Sequence, residues 1–264
     1  MLVKDILNCI TEIAPLQWQE SYDNAGLQVG DLNAEAQKAL VCLDITEEIV
    51  DEAVAKNCNL IISHHPLIFR GLKHLTPETY IERAVMKAVK HDIALISMHT
   101  NLDNSYLGVS RVLAERLGLK YLRLLQPSEA EPEQCGSGMI GEFENPLDET
   151  VFLGLVAETI GTPCLRHSAL TGRPIQKVAL CGGSGTPFMT DAIRQKVDAY
   201  LTADIKYHDF FVPEGNILLV DGGHFETEQF TKELIVELIR KKFPTFAAEI
   251  AETKTNSVHY FVKK

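Results

Sequence analysis

The chain lacks the features that mark membrane proteins, secreted proteins and general nucleic-acid binders. No apolar run approaches the ~18 residues of a membrane-spanning helix. Asp5 and Glu12 interrupt the apolar pattern of the N-terminus, which a signal peptide would not tolerate. The 25 Lys and Arg residues are scattered and are outnumbered by 36 Asp and Glu. We therefore expect no membrane contact and no general affinity for nucleic acid.

Closely spaced cysteine pairs are also missing. The six cysteines form no C-x-x-C motif, and several lie inside apolar runs, as reduced and buried thiols do. Disulfides are rare in reducing compartments, so this usage predicts a cytoplasmic protein. The cysteines are Cys9, Cys42, Cys58, Cys135, Cys164 and Cys181.

Continuous apolar runs alternate with amphipathic segments in the first half of the chain. An opening helix is predicted before Pro15, since apolar residues recur there every three or four positions. Strands without polar alternation are buried on both faces, as in a largely parallel sheet covered by helices. The predicted strands are 38–43, 59–63 and 93–98, and the predicted helices are 46–56 and 76–91.

A second strand and helix series follows a polar, proline-bearing stretch at 126–133. It comprises strands at 178–181, 199–202 and 217–220, a helix at 224–242 and a last strand at 257–262. We therefore predict an α/β fold of two interlocked lobes with mixed, largely parallel sheets, helices on both faces and a metal site in the cleft between them. The predicted metal-binding lobe comprises 1–125 and 203–264, and the second lobe 126–202.

Histidines and an aspartate follow two of the predicted strands. His64 and His65 end one, and His99 and Asp103 come after the next. Functional residues of open α/β sheets lie at such strand ends, and imidazole and carboxylate are ligands for divalent transition metals. Taken alone, two adjacent histidines are more often one core residue and one hydrogen-bonding residue at a strand end than two metal ligands. Asp103 could equally form a turn or cap a helix.

Another candidate pair stands at the start of the last long helix. His224 and Glu228 are four residues apart, so they project from one helix face, a spacing by which helices deliver metal ligands. Equally, Glu228 could complement the positive helix N-terminus while His224 lies near the cap. Taken together, the candidates supply three imidazoles and two carboxylates, which suits two ions if one carboxylate bridges them. Zinc, iron, manganese and cobalt all fit such ligands.

Other polar residues have weaker claims. His99 is predicted to orient a ligand or relay a proton. Lys206 and His208 follow a predicted strand end, where they could contact an anionic substrate or a leaving group, although a surface lysine beside a packed histidine fits as well. The glycine-rich turn around Ser184 could receive a phosphate, but tight turns need glycine for steric reasons alone.

Several motifs together resemble the Nif-three-like family, whose members are often named GTP cyclohydrolase I type 2 homologues. The resemblance runs from near residue 20 to beyond residue 228. It rests on Y-D-N-A-G-L-Q-V-G (22–30), S-H-H-P (63–66), H-T-N-L-D (99–103), G-G-S-G (182–185), D-I-K-Y-H-D (204–209) and G-H-F-E-T-E (223–228).

The resemblance implies a dinuclear metal site in an α/β subunit that assembles into a toroidal homohexamer, a trimer of dimers. Its implied ligands are His64, His65, Asp103, His224 and Glu228. The implied reaction is metal-dependent hydrolysis of a purine nucleotide ring with release of formate, with His99 or His208 relaying protons. A metal-dependent phosphoesterase would use the same ligands. A non-catalytic metal-binding scaffold for a protein partner is the other alternative. The extra central domain of longer relatives is absent.

Overall fold

The computed structural model describes residues 1–261, and its strands and helices divide between two compact units. Unit 1 comprises Met1–Leu102 and Thr231–Ser257, and unit 2 comprises Asp103–Phe230 and the residues from Val258. Within residues 1–261, no helix combines the length and the apolar character needed to cross a membrane.

The sheet of unit 1 is parallel except at one edge. Its strand order is β1-β4-β3-β2-β11, and only β1 runs antiparallel to its neighbour. The strands are β1 (Gly26–Val29), β2 (Lys38–Cys42), β3 (Leu60–Ser63), β4 (Ala94–Ser97) and β11 (Ala247–Ile250). The helices are α1 (Val3–Thr11), α2 (Glu47–Ala55), α3 (Tyr80–Lys90) and α9 (Thr231–Lys242).

Alternate side chains of these strands are buried on opposite faces of the sheet. Leu40, Ile61 and Leu95 form one core with residues of α2 and α3. Their neighbours Val41 and Ile62 point to the other face and are equally buried. The prediction of strands covered on both faces is therefore confirmed, and it explains why the sequence shows no polar alternation there.

Unit 2 contains a mixed sheet of strand order β5-β6-β8-β9-β10-β7. Strands β8, β9 and β10 are parallel, whereas β5, β6 and β7 run antiparallel to their partners. The strands are β5 (Lys120–Pro127), β6 (Gly136–Leu147), β7 (Arg166–His167), β8 (Ile175–Leu180), β9 (Ala199–Thr202) and β10 (Leu218–Asp221). The helices are α5 (Val109–Arg116), α6 (Glu149–Ile160), α7 (Met189–Arg194) and α8 (His224–Glu228), and α4 (Thr100–Asp103) precedes them.

The polar stretch at 126–133 is not a crossing between lobes. Strands β5 and β6 pair antiparallel, with Pro127 opposite Gly136, so this stretch is part of a hairpin connection inside unit 2. The ends of the two units consequently differ from the predicted lobe boundaries at 125/126 and 202/203. Polar composition alone does not distinguish a long hairpin loop from a linker, because both are exposed to water.

Two further expectations about the C-terminal region are wrong. The predicted helix 224–242 is interrupted, since Gln229 donates to the carbonyl of Ile160 and Phe230 packs into the core of unit 2. Residues 257–261 form no strand, and position 262 of that prediction lies outside the described residues. The strand that ends unit 1 is β11, which pairs with β2.

Candidate metal centre

His64 and His65 stand at the carboxyl end of β3, where hydrogen bonds fix their backbone. The N–H of His64 donates to the carbonyl of Cys42 at the end of β2 (3.3 Å). The hydroxyl of Ser97 donates to the carbonyl of His64 (2.8 Å), and the hydroxyl of Ser63 donates to the carbonyl of His65 (2.7 Å). The two imidazoles therefore project from a rigid strand end rather than from a loose loop.

Each of these two rings is oriented through its Nδ1 atom. Nδ1 of His64 lies 2.8 Å from the carbonyl of Met98, and Nδ1 of His65 lies 2.7 Å from Oδ1 of Asp44. A carbonyl or carboxylate oxygen can only accept, so we assign the proton of each neutral ring to Nδ1. Nε2 is then the nitrogen that carries the lone pair, which is the form in which imidazole binds a metal ion.

A third imidazole of unit 1, His99, belongs to the same cluster. Its ring centroid is 5.4 Å from that of His64 and 5.5 Å from that of His65, which are themselves 4.9 Å apart. Nδ1 of His99 lies 2.7 Å from Oδ1 of Asp23, whose side chain is fully buried. The structure thus brings the predicted proton relay next to the predicted ligands of this unit.

Asp23 is held in its charged form by its hydrogen bonds. Burial alone would raise the pKa of this carboxyl, but His99 and the hydroxyl of Thr100 donate to it and lower the pKa to about 2. The backbone N–H of Thr100 donates to it as well (3.0 Å). This carboxylate therefore sets the orientation of His99 and ties the 22–30 segment to the end of β4.

Replacing Asp23 with Asn is expected to destabilise the protein in a pH-dependent manner. The folded-state pKa of about 2 lies below the ordinary value of 3.8. The charged carboxylate therefore stabilises the fold by about 2 kcal/mol above pH 4, and the stabilisation is lost as the pH falls through 2. Urea unfolding should show a difference from the wild type of about 2 kcal/mol at pH 7 and about half of that at pH 3.

The exposed Asp51, paired with Lys87, provides the control for this measurement. Its replacement by Asn is expected to change the free energy of unfolding by less than about 0.5 kcal/mol. A difference for Asp23→Asn that is equally large at pH 7 and pH 3 would contradict the role given to its charge.

Unit 2 supplies an imidazole between two carboxylates. His224 begins α8, with Nδ1 2.7 Å from Oδ2 of Asp204 and Nε2 3.1 Å from Oε2 of Glu228. Burial lowers the pKa of His224, but the bonds to Asp204 and Glu228 outweigh it and raise the pKa to about 11. The two carboxylates favour positive charge at this position, whether a proton or a metal ion supplies it.

Asp103 and Glu228 both lie near the thiol of Cys181. Burial raises the pKa of Cys181, and the negative charges of these two carboxylates raise it further. Glu228 is only 3% exposed, and a buried carboxylate requires a positive partner. Glu228 is therefore a candidate metal ligand in unit 2, as His64 and His65 are in unit 1.

The backbone of the glycine-rich turn at 182–185 is hydrogen-bonded to α5, α8 and β9 of the same unit. Three of its N–H groups already donate to hydroxyl groups of the same unit, so they do not form a nest for an anion. These bonds join Gly182 to Ser110 (3.3 Å), Gly183 to Thr227 (3.0 Å) and Gly185 to Thr202 (2.8 Å). Ser184 is exposed beside them, and its contact with substrate stays a prediction.

Replacing Gly183 with Ala is expected to displace Glu228. A Cβ atom there would lie 2.0 Å from Oε1 of Glu228 and 3.3 Å from Cε1 of His224, and the residue has a φ of +60°. We expect a loss of about 1 to 3 kcal/mol in the free energy of unfolding and weaker metal binding. Chemical unfolding and metal titration measure the two effects.

Gly154 in α6 is the matched control, because a Cβ atom there meets nothing within 4 Å. Its replacement by Ala should stabilise the helix by about 0.5 to 1 kcal/mol and leave metal binding unchanged. Equal metal affinity for the Gly183→Ala variant and the wild type would show that Glu228 is not a ligand or that the turn does not position it.

Lys206 and His208 lie on an exposed segment of unit 2. His208 belongs to the short 3₁₀ turn Tyr207–Phe211, and its ring is 5.2 Å from that of Tyr207. Their predicted contacts with a substrate or leaving group stay predictions.

The sequence interpretation missed three carboxylates that orient the imidazoles, namely Asp23, Asp44 and Asp204. Asp44 follows β2, and Asp204 follows β9. These are carboxyl ends of parallel strands, the same signal that identified His64 and His65. Asp23 follows no parallel strand, and only its place in the motif at 22–30 marked it.

The chain matches a known protein family. The family model for Duf34/NIF3 (NGG1p interacting factor 3) matches residues 1–257. A protein of Clostridium acetobutylicum named GTP cyclohydrolase 1 type 2 homolog is 34% identical over 229 residues, which cover 86% of this chain and 85% of that protein. A protein of the same name from Streptococcus pneumoniae is 32% identical and covers 98% and 100% of the two chains.

Solved structures show the same fold. The crystal structure of a Staphylococcus aureus hypothetical protein has a TM-score of 0.91 and 28% identity over 99% of both chains. The Bacillus cereus protein related to NIF3 has a TM-score of 0.90 over 99% of both chains, and its identity of 22% supports the fold alone. These matches confirm the resemblance that the sequence motifs indicate and the α/β fold with two mixed sheets.

Proposed function

Because the chain belongs to the Duf34/NIF3 family, we propose that it is a dinuclear metal-dependent hydrolase that acts on a purine nucleotide. The name of its relatives, GTP cyclohydrolase 1 type 2 homolog, supports this substrate class. The proposed ligands of two divalent ions, zinc, iron, manganese or cobalt, are His64, His65, Asp103, His224 and Glu228.

The orientation of the imidazoles is the observation that carries the proposal. All three proposed histidine ligands have Nδ1 within 2.8 Å of an oxygen that can only accept. Metal-binding histidines show this pattern, because the bonded Nδ1 fixes the tautomer and directs Nε2 to the ion. Packing in a core does not require that each of three histidines have its own oxygen partner at Nδ1.

The chain's own residues would divide the catalytic work. Bound ions would lower the pKa of a coordinated water towards neutrality and so supply a nucleophile. Glu228 or Asp103 would bridge the ions, while Asp44 and Asp204 hold two of the rings. Lys206 and Ser184 are proposed contacts for an anionic part of the substrate.

Proton transfer is assigned to His99, with His208 as the second candidate. Asp23 holds Nδ1 of His99, so Nε2 is the atom that would exchange a proton with the substrate. In the proposed reaction, water adds to the imidazole carbon of guanine, the ring opens and formate leaves. Two water molecules are consumed, one in opening the ring and one in cleaving the formyl group.

The test is a metal analysis of protein purified without chelator, followed by assays on a panel of nucleotides. Release of formate from GTP supports the cyclohydrolase proposal. Release of inorganic phosphate instead assigns the same ligands to a phosphoesterase. If metal-loaded protein releases neither product while His224→Ala disrupts assembly, the ions serve a scaffold. Light scattering tests the proposed toroidal homohexamer.

A further inference from the structure

Two exposed aromatic side chains of unit 1 continue from the imidazole cluster towards solvent. The ring of Phe69 lies 6.0 Å from that of His99 at an interplanar angle of 84°, and the ring of Tyr22 lies 6.3 Å from that of Phe69 at 62°. Tyr22 is 64% exposed and Phe69 is 41% exposed. Aromatic surface left open beside a polar cluster is typical of a binding site.

Hydrogen bonds join the two chain segments that carry these rings. The side chain of Asn24 donates to the carbonyl of Ile68, and the N–H of Ile68 donates to Oε1 of Gln28 (2.9 Å). Gln28 in turn donates to the carbonyl of Asn24 (2.7 Å). The segment that carries Tyr22 is thus tied to the segment that carries Phe69, so binding would not have to order either one.

Positive charge accompanies the aromatic pair. The chain carries a net charge of −11, yet no Asp or Glu occurs between Glu52 and Glu78. Arg70 and Lys73 lie in the exposed stretch that follows Phe69. Lys73 is four residues from Phe69, which places its Cα atom within about 14 Å along the chain. If the ring of a ligand stacks on Phe69, an anionic group attached to that ring would therefore lie near Arg70 and Lys73. The segment between Glu52 and Glu78 places no acidic residue beside it.

We propose that Tyr22 and Phe69 bind the base of a nucleotide and that Arg70 and Lys73 bind its phosphates. This inference rests on the proposed function, because it places the base beside His99. Stacking on aromatic rings accepts any base, since every base has a π face. Arg70 and Lys73 would then favour a nucleotide over a nucleoside, in addition to the proposed anion contacts of Lys206 and Ser184.

Isothermal titration of the full chain, purified without chelator, with GTP and with guanosine tests both parts. Phe69→Ala and Tyr22→Ala are each expected to raise the Kd of both ligands by about tenfold. Phe69→Trp should retain binding because it keeps an aromatic face. The double variant Arg70→Ala, Lys73→Ala should raise the Kd of GTP and leave that of guanosine unchanged.

Tyr80→Ala is the matched control, since Tyr80 is 55% exposed and belongs to the same unit. Its Kd values should equal those of the wild type, and thermal unfolding and metal content should agree among all variants. An unchanged Kd for Phe69→Ala, or a wild type that binds neither ligand, overturns the inference.

The two proposals can fail separately. If GTP binds as expected but no formate is released, the result supports the binding site and contradicts the cyclohydrolase activity. If formate is released while the Phe69 and Tyr22 variants keep the wild-type Kd and KM, the result supports the activity and contradicts this binding site.

Discussion

Replacing Glu228 with Gln is expected to lower the affinity for divalent metal by more than about 100-fold and to abolish formate release. Residues that only orient a metal ligand typically contribute 10- to 100-fold to affinity, so the loss of a charged ligand should exceed this range. Glutamine has nearly the same shape, but it lacks the negative charge that the proposed ligand position would require. Metal content of the purified variant and its GTP turnover measure both effects.

Glu226 is the control, because it lies in the same helix and is similarly buried, at 6% against 3% for Glu228. Residues two apart on a helix do not share a face, so Glu226→Gln should retain both metal and turnover. If Glu228→Gln keeps full metal content, Glu228 is not a ligand and the dinuclear proposal fails.

Replacing Asp44 with Asn is expected to weaken metal binding by about 10- to 100-fold while the fold is retained. Asp44 bonds Nδ1 of His65 through Oδ1 and accepts the hydroxyl of Thr255 through Oδ2 (2.7 Å). An amide in its place either presents an NH₂ group to His65, which favours the wrong tautomer, or accepts without the charge that strengthens His65 as a ligand. Asp204→Asn should act in the same way on His224.

Competition between the protein and a chromophoric chelator at fixed pH measures these affinities. Asp191→Asn is the control, because Asp191 pairs with Arg194 on α7 and has no part in the proposed site. Wild-type affinity in both Asp44→Asn and Asp204→Asn would mean that these bonds are structural and do not tune the metal ligands.

Strand ends were the most informative signal in the sequence. Continuous apolar runs located β2, β3, β4, β8, β9 and β10, and the polar residues that follow them supplied most of the candidate ligands. This works because parallel strands buried on both faces leave little freedom in composition, and their carboxyl ends meet at one edge of the sheet. His99 and Asp44 lie at that edge in unit 1 for the same reason as His64 and His65.

Antiparallel and irregular elements were harder to predict. Strands β5 and β6 are partly exposed, and the stretch between them resembles a linker in composition. The interruption between α8 and α9 depends on the bond from Gln229 to Ile160, 69 positions away, and on the packing of Phe230 into the core of unit 2. No local pattern records either contact. These elements take their form from tertiary packing rather than from propensity.

The sequence by itself determined the kinds of side chain available at the strand ends and the helical spacing of His224 and Glu228, because both follow from local backbone geometry. Only the tertiary structure decided which nitrogen of each imidazole is held. The partners Met98, Asp44 and Asp204 lie between 20 and 34 residues from the rings they orient. A hydrogen bond depends on distances of a few tenths of an ångström, and chain folding sets these distances across strands that are remote in sequence.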